Sequence, residues 1–129
     1  RRLYLVTAKP IVFAERIIAH FALRPFFQAL YGSELNGAFT DKALLTAEVL
    51  RREGIAPATA VFVGDRRYDI EAAHDNGMPC VAVSYGYGTD DEIAQAAPDA
   101  IADTPADIPT AIRTLEQHRQ LNYTIDTTH

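Results

Sequence analysis

Two carboxylates, Asp65 and Asp69, stand in the stretch Gly64-Asp65-Arg66-Arg67-Tyr68-Asp69, directly after the apolar run Ala60-Val61-Phe62-Val63. A run of β-branched and aromatic residues closed by glycine reads as a strand covered on both faces, the kind found in parallel sheets. Ligand sites of open α/β sheets lie beyond the carboxyl ends of such strands. Asp65 is therefore placed at a strand exit, and Asp69 on the first turn of a helix predicted over Tyr68 to Asn76. Gly64 permits close backbone approach at that point. Hard oxygen ligands there suit Mg²⁺, which takes one or two protein carboxylates and keeps positions for water and phosphate. The same residues also describe a Gly-Asp turn and a helix with a favourable negative charge in its first turn, and alone they do not choose between the two.

Two further residues could join this chemistry. Thr7 closes the apolar run Leu3-Tyr4-Leu5-Val6 and is followed by Ala8-Lys9 and Pro10. Its hydroxyl and the nearby amides could hold a phosphate oxygen at a helix start. Lys42 follows Asp41, a predicted helix cap, and has no obvious acidic partner on its own helix. Each taken singly is better explained as a strand-end hydrogen bonder or a solvated, exposed lysine.

The elements that must position these residues follow from hydrophobic periodicity. Leu3 to Val6 is predicted as a strand ending at Thr7, and Pro10 opens a helix with apolar positions Ile11, Ala14, Ile18 and Phe21. Ala29-Leu30-Tyr31 is a short strand before Gly32. Asp41 caps a helix with Leu44, Leu45, Ala47, Val49 and Leu50 on its apolar side and Gly54 as its stop. After Ala60 to Val63 come a helix stopping at Gly77, a strand over Cys80 to Val83 and a short helix over Asp90 to Ala97. A strand at Ala100-Ile101-Ala102 and a terminal helix over Pro109 to Gln120 complete the chain. Strands alternating with helices argue for an α/β fold, a mostly parallel sheet with helices on both faces. Residues 1–120 read as one core. Residues 121–129, polar and aromatic without helical period, read as a tail, an added strand or an appended remnant.

Bulk properties narrow the partners. A chain of 129 residues, 48% hydrophobic and 22% charged, has the size and composition of one soluble domain. Twelve basic against seventeen acidic side chains give a net charge of −5 without a long Lys/Arg run, which argues against nucleic acid or an anionic membrane. No apolar stretch reaches the length of a membrane span and no signal-peptide core follows Arg1-Arg2, so a cytoplasmic protein is expected. Cys80 is the only cysteine, set in Pro79-Cys80-Val81-Ala82-Val83, and reads as a packed thiol. His20, His74, His118 and His129 lack metal-ligand spacing. There is no Walker A sequence, and Gly86-Tyr87-Gly88 lacks the third glycine of a dinucleotide fingerprint.

In chain order, Thr7 after its apolar strand, Lys42 after Ser33-Glu34-Leu35 and Asp41, and Gly64-Asp65-Arg66-Arg67-Tyr68-Asp69 resemble the second, third and fourth motifs of the haloacid dehalogenase (HAD) superfamily. The strings Thr7-Ala8-Lys9-Pro10, Tyr31-Gly32-Ser33-Glu34 and Gly86-Tyr87-Gly88-Thr89 look like its phosphoglycolate-phosphatase-like branch. The resemblance runs from Leu3 to Gln117. It implies a Rossmann-like three-layer core and Mg²⁺-dependent hydrolysis of a small phosphorylated metabolite through an aspartyl-phosphate. On that resemblance, Thr7 would bind the transferring phosphoryl oxygens, with Ala8 lending its amide. Lys42 would neutralise charge on phosphate and nucleophile. Asp65 would hold Mg²⁺, and Asp69 would orient that ion's shell directly or through water.

One departure from the family is severe. Its first motif, an apolar strand ending Asp-x-Asp-Gly-Thr, carries the nucleophile and the general acid, and nothing before Leu3 supplies it; the cap between its first two motifs is missing too. The expectation is a phosphatase core, inactive without that segment, with a non-catalytic phosphate- or Mg²⁺-binding interaction domain as the alternative. A receiver-type signalling domain is disfavoured, because Thr7 stands where an acidic pair is needed. Tyr123-Thr124-Ile125-Asp126-Thr127-Thr128 puts an Asp after an alternating segment, with Thr where the general acid would stand. The Gly-Thr continuation is absent, so a polar tail is favoured. In the family's sheet the first-motif strand lies between the strand ending at Thr7 and the one ending at Gly64, and unpaired edges there are costly. An upstream segment is expected to fill the slot, ahead of a second copy of the chain or the tail. Without a filler, self-association through the exposed edges is expected.

Overall fold

Strands β3 (Ala60–Gly64) and β4 (Cys80–Val83) are buried at every residue, and their alternation feeds two separate cores. The computed structural model describes residues 2–10, 16, 29–33, 41–118 and 120–127. With β1 (Arg2–Pro10), β2 (Ala29–Ser33), β5 (Ala100–Ala102) and β6 (Tyr123–Asp126) they make one six-stranded sheet. Its order is β2-β1-β6-β3-β4-β5, and every neighbouring pair is parallel.

Among the described residues from Asp41 onward, the α-helices are α1 (Lys42–Glu53), α2 (Arg67–Asp75), α3 (Asp90–Ala96) and α4 (Asp107–Leu115). On one face of the sheet, Leu45, Val49 and Leu50 of α1, Ile70 and Ala73 of α2 and Ile93 of α3 pack against Ala60, Phe62, Cys80, Ala82 and Ile125. On the other, Ala111 and Ile112 of α4 join Val61, Val63, Val81, Val83 and Ala102. Period-two strands facing helices on both sides give the expected three-layer, Rossmann-like arrangement. Local signals hold where they were strongest. Asp41 caps α1 by accepting from the Leu44 N–H at 3.1 Å, and Gly54 ends it in the left-handed region at φ 65°. Cys80 is buried, and burial pushes its thiol well above the usual range, as a packed cysteine requires. No helix among the described residues is long and apolar enough to cross a membrane.

Two expectations are corrected. β1 does not stop at Thr7 but runs to Pro10, which pairs with Ser33 of β2 after a register shift between Val6 and Pro10. Proline has no N–H to give to a ladder, and an irregular register is where a strand accommodates it. Pro10 therefore belongs to a strand; of the helix expected beyond it, only Arg16, which is helical, lies among the described residues.

The second correction concerns the central slot. It is filled not by an upstream segment but by β6, so the final stretch is part of the core. β6 pairs with β1 from Arg2↔Tyr123 to Leu5↔Asp126, and with β3 from Ala60↔Tyr123 to Val63↔Asp126. The physical reason is the gain of two hydrogen-bonded ladders by a segment whose apolar side suits the place. Ile125 is wholly buried, and the Tyr123 ring packs against Tyr4 at 6.2 Å between centroids. The pairing extends beyond the strand at both ends. Asn122 donates its N–H to the Thr59 carbonyl at 2.8 Å, and Thr127 donates N–H and Oγ1 to the Val63 carbonyl at 2.9 and 3.1 Å.

Candidate active site

β3 ends at Gly64 and α2 begins at Arg67, so the intervening turn must expose its own amides. Asp69 satisfies them. Its Oδ2 accepts from the Asp65 and Arg66 N–H groups at 3.0 and 3.1 Å, and its Oδ1 accepts from Lys42 Nζ at 2.6 Å. The Asp69 side chain is 1% exposed and that of Lys42 20%. Gly64 is required here because a Cβ would overlap the Asp69 side chain.

Asp65 faces the other way, towards the loop between β4 and α3. Its Oδ2 accepts from the Tyr87 N–H at 2.8 Å. A Cβ at Gly86 would overlap the Asp65 side chain, and one at Gly88 its carbonyl, so the loop lies directly on Asp65. Glu92 of α3 fastens the same corner. Arg66 donates Nε and one terminal nitrogen to its two oxygens at 2.8 and 3.2 Å, and the Arg67 N–H reaches Oε2 at 3.1 Å. These hydrogen bonds, that from Arg66 first, hold the Glu92 carboxyl below its usual range. Asp65, Val83, Tyr85, Gly86 and Tyr87 line an open cavity of about 400 Å³. Burial, followed by the negative charges of Asp126 and Asp65, pushes the Tyr85 phenol upward, so it is neutral at neutral pH.

Asp126 completes the row. It is the last residue of β6, in register with Leu5 on one side and Val63 on the other. Thr7 and Asp65 lie two residues further along those neighbouring strands. Thr7, within β1 just past the end of its ladder with β6, Asp126 at the end of β6 and Asp65 just after β3 thus come to one edge of the sheet, where such folds bind ligands.

Of the residues singled out in the sequence, Asp65 lies at the cavity, and Asp69 and Lys42 form a pair behind it. Thr7 and Ala8 continue the β1 backbone past Leu5; their side chains lie outside the described residues. Lys42 was expected to be exposed without a partner on its own helix. Its partner sits on the next helix, twenty-seven residues on, beyond the reach of any i,i+4 pattern. Sequence reasoning weighed Asp126 and set it aside, and it passed over Glu92, Tyr85 and Tyr87. The glycines flanking Tyr87 were the available signal, since they mark a backbone pressed against a neighbour.

The donors suit a hard cation in a restricted sense. Asp69 has both oxygens engaged, whereas Asp65 Oδ1 takes no hydrogen bond among the described residues. Those residues contain no group of three or more His, Cys, Asp or Glu placed for a metal. Asp65 and Asp126 could supply the one or two carboxylates that Mg²⁺ takes, with water and phosphate making up the shell.

Comparison with known proteins agrees with this geometry. The family described as HAD-hydrolase-like matches residues 36–108. A 5'-nucleotidase from Pseudomonas aeruginosa is 40% identical over 116 residues, which cover 90% of this chain and 51% of the relative. Phosphoglycolate phosphatase from Escherichia coli K12 is 35% identical over 111 residues, covering 84% of this chain and 43% of the relative. The chain spans about half the length of the curated relatives it matches. A solved haloacid dehalogenase-like hydrolase from Streptococcus pneumoniae superposes with a TM-score of 0.80 at 27% identity, over 86% of this chain and 52% of that one. Motifs, sheet order and relatives converge: the chain belongs to the haloacid dehalogenase-like hydrolases, of the phosphoglycolate-phosphatase-like type.

Proposed function

We propose that this chain is the core of a Mg²⁺-dependent phosphatase that hydrolyses the phosphate monoester of a small metabolite through an aspartyl-phosphate on Asp126. The observation that carries the proposal is the position of Asp126 at the carboxyl end of the central strand, between the strand of Thr7 and the strand of Asp65. That is the place left vacant when the first motif is sought upstream of Leu3.

In this reading an Asp126 oxygen bonds to phosphorus as the ester P–O bond breaks, and the departing alkoxide takes a proton from water. A second water then attacks phosphorus, the Asp126–phosphate bond breaks, and inorganic phosphate leaves. Lys42 spends one of its three N–H donors on Asp69 and has two left for phosphoryl oxygens. Asp69 holds that ammonium in place and keeps the Asp65 turn closed, so its part is positioning. The Thr7 hydroxyl and the Ala8 amide bind the remaining phosphoryl oxygens. A bound Mg²⁺, held by Asp65 and Asp126, supplies positive charge that lowers the repulsion between phosphate and carboxylates.

A second reading, phosphate and Mg²⁺ binding without turnover, draws on Thr128, which stands where the family has its general acid. One experiment separates the two. The full chain with Mg²⁺ is given p-nitrophenyl phosphate, whose leaving group needs no acid, and is quenched in acid for mass spectrometry. Turnover with a phosphoryl adduct on the Asp126 peptide is expected, and Asp126→Asn should lower the rate by at least about a hundredfold. Full activity in Asp126→Asn refutes the assignment, and phosphate binding without turnover in the parent supports the second reading.

A further inference from the structure

Tyr87 is 92% exposed, the most exposed of the large apolar side chains described, and its ring has no partner among the described residues. Its backbone, however, is pinned. The Tyr87 N–H is bonded to Asp65 Oδ2, and Gly86 and Gly88 press the loop onto Asp65 from either side. The ring is thus presented to water one side chain's length from the carboxylate at the reaction edge. Tyr68, 49% exposed, shows the contrast, because Arg66 and Arg67 lie over its ring at 5.2 and 4.9 Å. Tyr85 lines the same cavity as Tyr87.

Among its described lining residues the cavity has two tyrosines and the Asp65 carboxylate but no basic side chain, so an anionic leaving group would find no side-chain counterion there. A flat, uncharged group would meet two tyrosines there, and tyrosine supplies aromatic area at low conformational cost because it has only two side-chain torsions.

We propose that Tyr87, with Tyr85 along the wall, stacks against a planar aromatic group of the phosphate ester, so that the substrate is an aryl phosphate or a nucleoside phosphate. The inference rests on the phosphatase reading and adds the class of leaving group.

Binding of hydrolysis-proof phosphonates to the full chain with Mg²⁺ tests it by calorimetry. The probes are benzylphosphonate, the methylene phosphonate analogue of adenosine 5'-monophosphate, the corresponding analogue of ribose 5-phosphate, and inorganic phosphate. At least one aromatic probe should bind about tenfold or more tighter than the ribose analogue, the scale of one stacked base. The tighter of the two aromatic probes identifies the source. Tyr87→Ala should bring the ratio close to one and Tyr87→Phe should keep it, both with the parent's thermal midpoint, since the side chain is in water. Equal binding of aromatic and ribose probes, or a preference that survives Tyr87→Ala, overturns the inference and leaves the phosphatase reading standing. Failure of every probe, inorganic phosphate included, overturns both.

Discussion

Lys42→Ala would strand the Asp69 carboxylate. That group is 1% exposed and would keep its two backbone donors on Oδ2, but Oδ1 would lose its one charged partner among the described residues, now at 2.6 Å. Removing one member of a buried pair costs about 3–5 kcal/mol. The Lys42 side chain is 20% exposed, so water can reach Oδ1 through the space it leaves, and the cost falls to about 2–3 kcal/mol. An unpartnered surface lysine, as the sequence suggested, would cost less than about 0.5 kcal/mol. On a chain of this length the larger figure corresponds to roughly 8–12 °C in Tm. Because the chain has no Trp, urea unfolding should be followed by far-UV circular dichroism. The urea midpoint should fall with an unchanged slope. Asp69→Asn should cost less in the Lys42→Ala background than alone, since an amide cannot accept from both Lys42 and the turn; the coupling should be about 2 kcal/mol. A midpoint equivalent to less than about 0.5 kcal/mol, or simple additivity, would refute the buried pair.

The other predictions are simpler to state. Deleting 121–129 should remove the two ladders that β6 makes with β1 and β3, giving aggregation on gel filtration and no cooperative transition; a monomer that still melts cooperatively would show β6 to be dispensable. Asp65→Asn should weaken Mg²⁺ or paramagnetic Mn²⁺ binding by about tenfold or more, and unchanged affinity in a titration would sink the metal assignment. The Tyr31 phenol is pushed up to about 12, first by burial and then by its 2.8 Å hydrogen bond to Glu53. Because its folded pKa lies above the ordinary 10.0, its contribution to stability is complete below pH 10 and is lost as pH rises through about 12. Tyr31→Phe should flatten that stretch of the stability curve, and an alkaline profile identical to the parent's would count against the bond.

What the sequence revealed divides along the distance over which each interaction acts. Asp41 and Gly54 were legible as the ends of α1 because caps are set by their own few residues. The apolar run into Gly64 was legible because burial on both faces removes polar residues from a strand. Lys42–Asp69 was not, because the pair spans two helices. Nor was β6. Four alternating residues carry little signal by themselves, and what makes Tyr123–Asp126 a strand is the pair of ladders offered by β1 and β3 from remote parts of the chain. Asp126 was therefore set aside, whereas Asp65 was read at a strand exit because its strand announces itself locally.

The position of β6 also bears on how the molecule assembles. Within the sheet it is the sole link between one half, β2-β1, and the other, β3-β4-β5. The second half, with α2 and α3, is built from contacts close in sequence and can form early, whereas β6 must close long loops to both β1 and β3. Amides of β3 and β4 on their shared ladder should then be the slowest to exchange with solvent. Those between β1 and β6 should open together at lower free energy, as one cooperative unit. The candidate site straddles that boundary, so each opening of β6 would carry Asp126 away from Asp65 and dismantle the candidate site before the rest of the fold is lost.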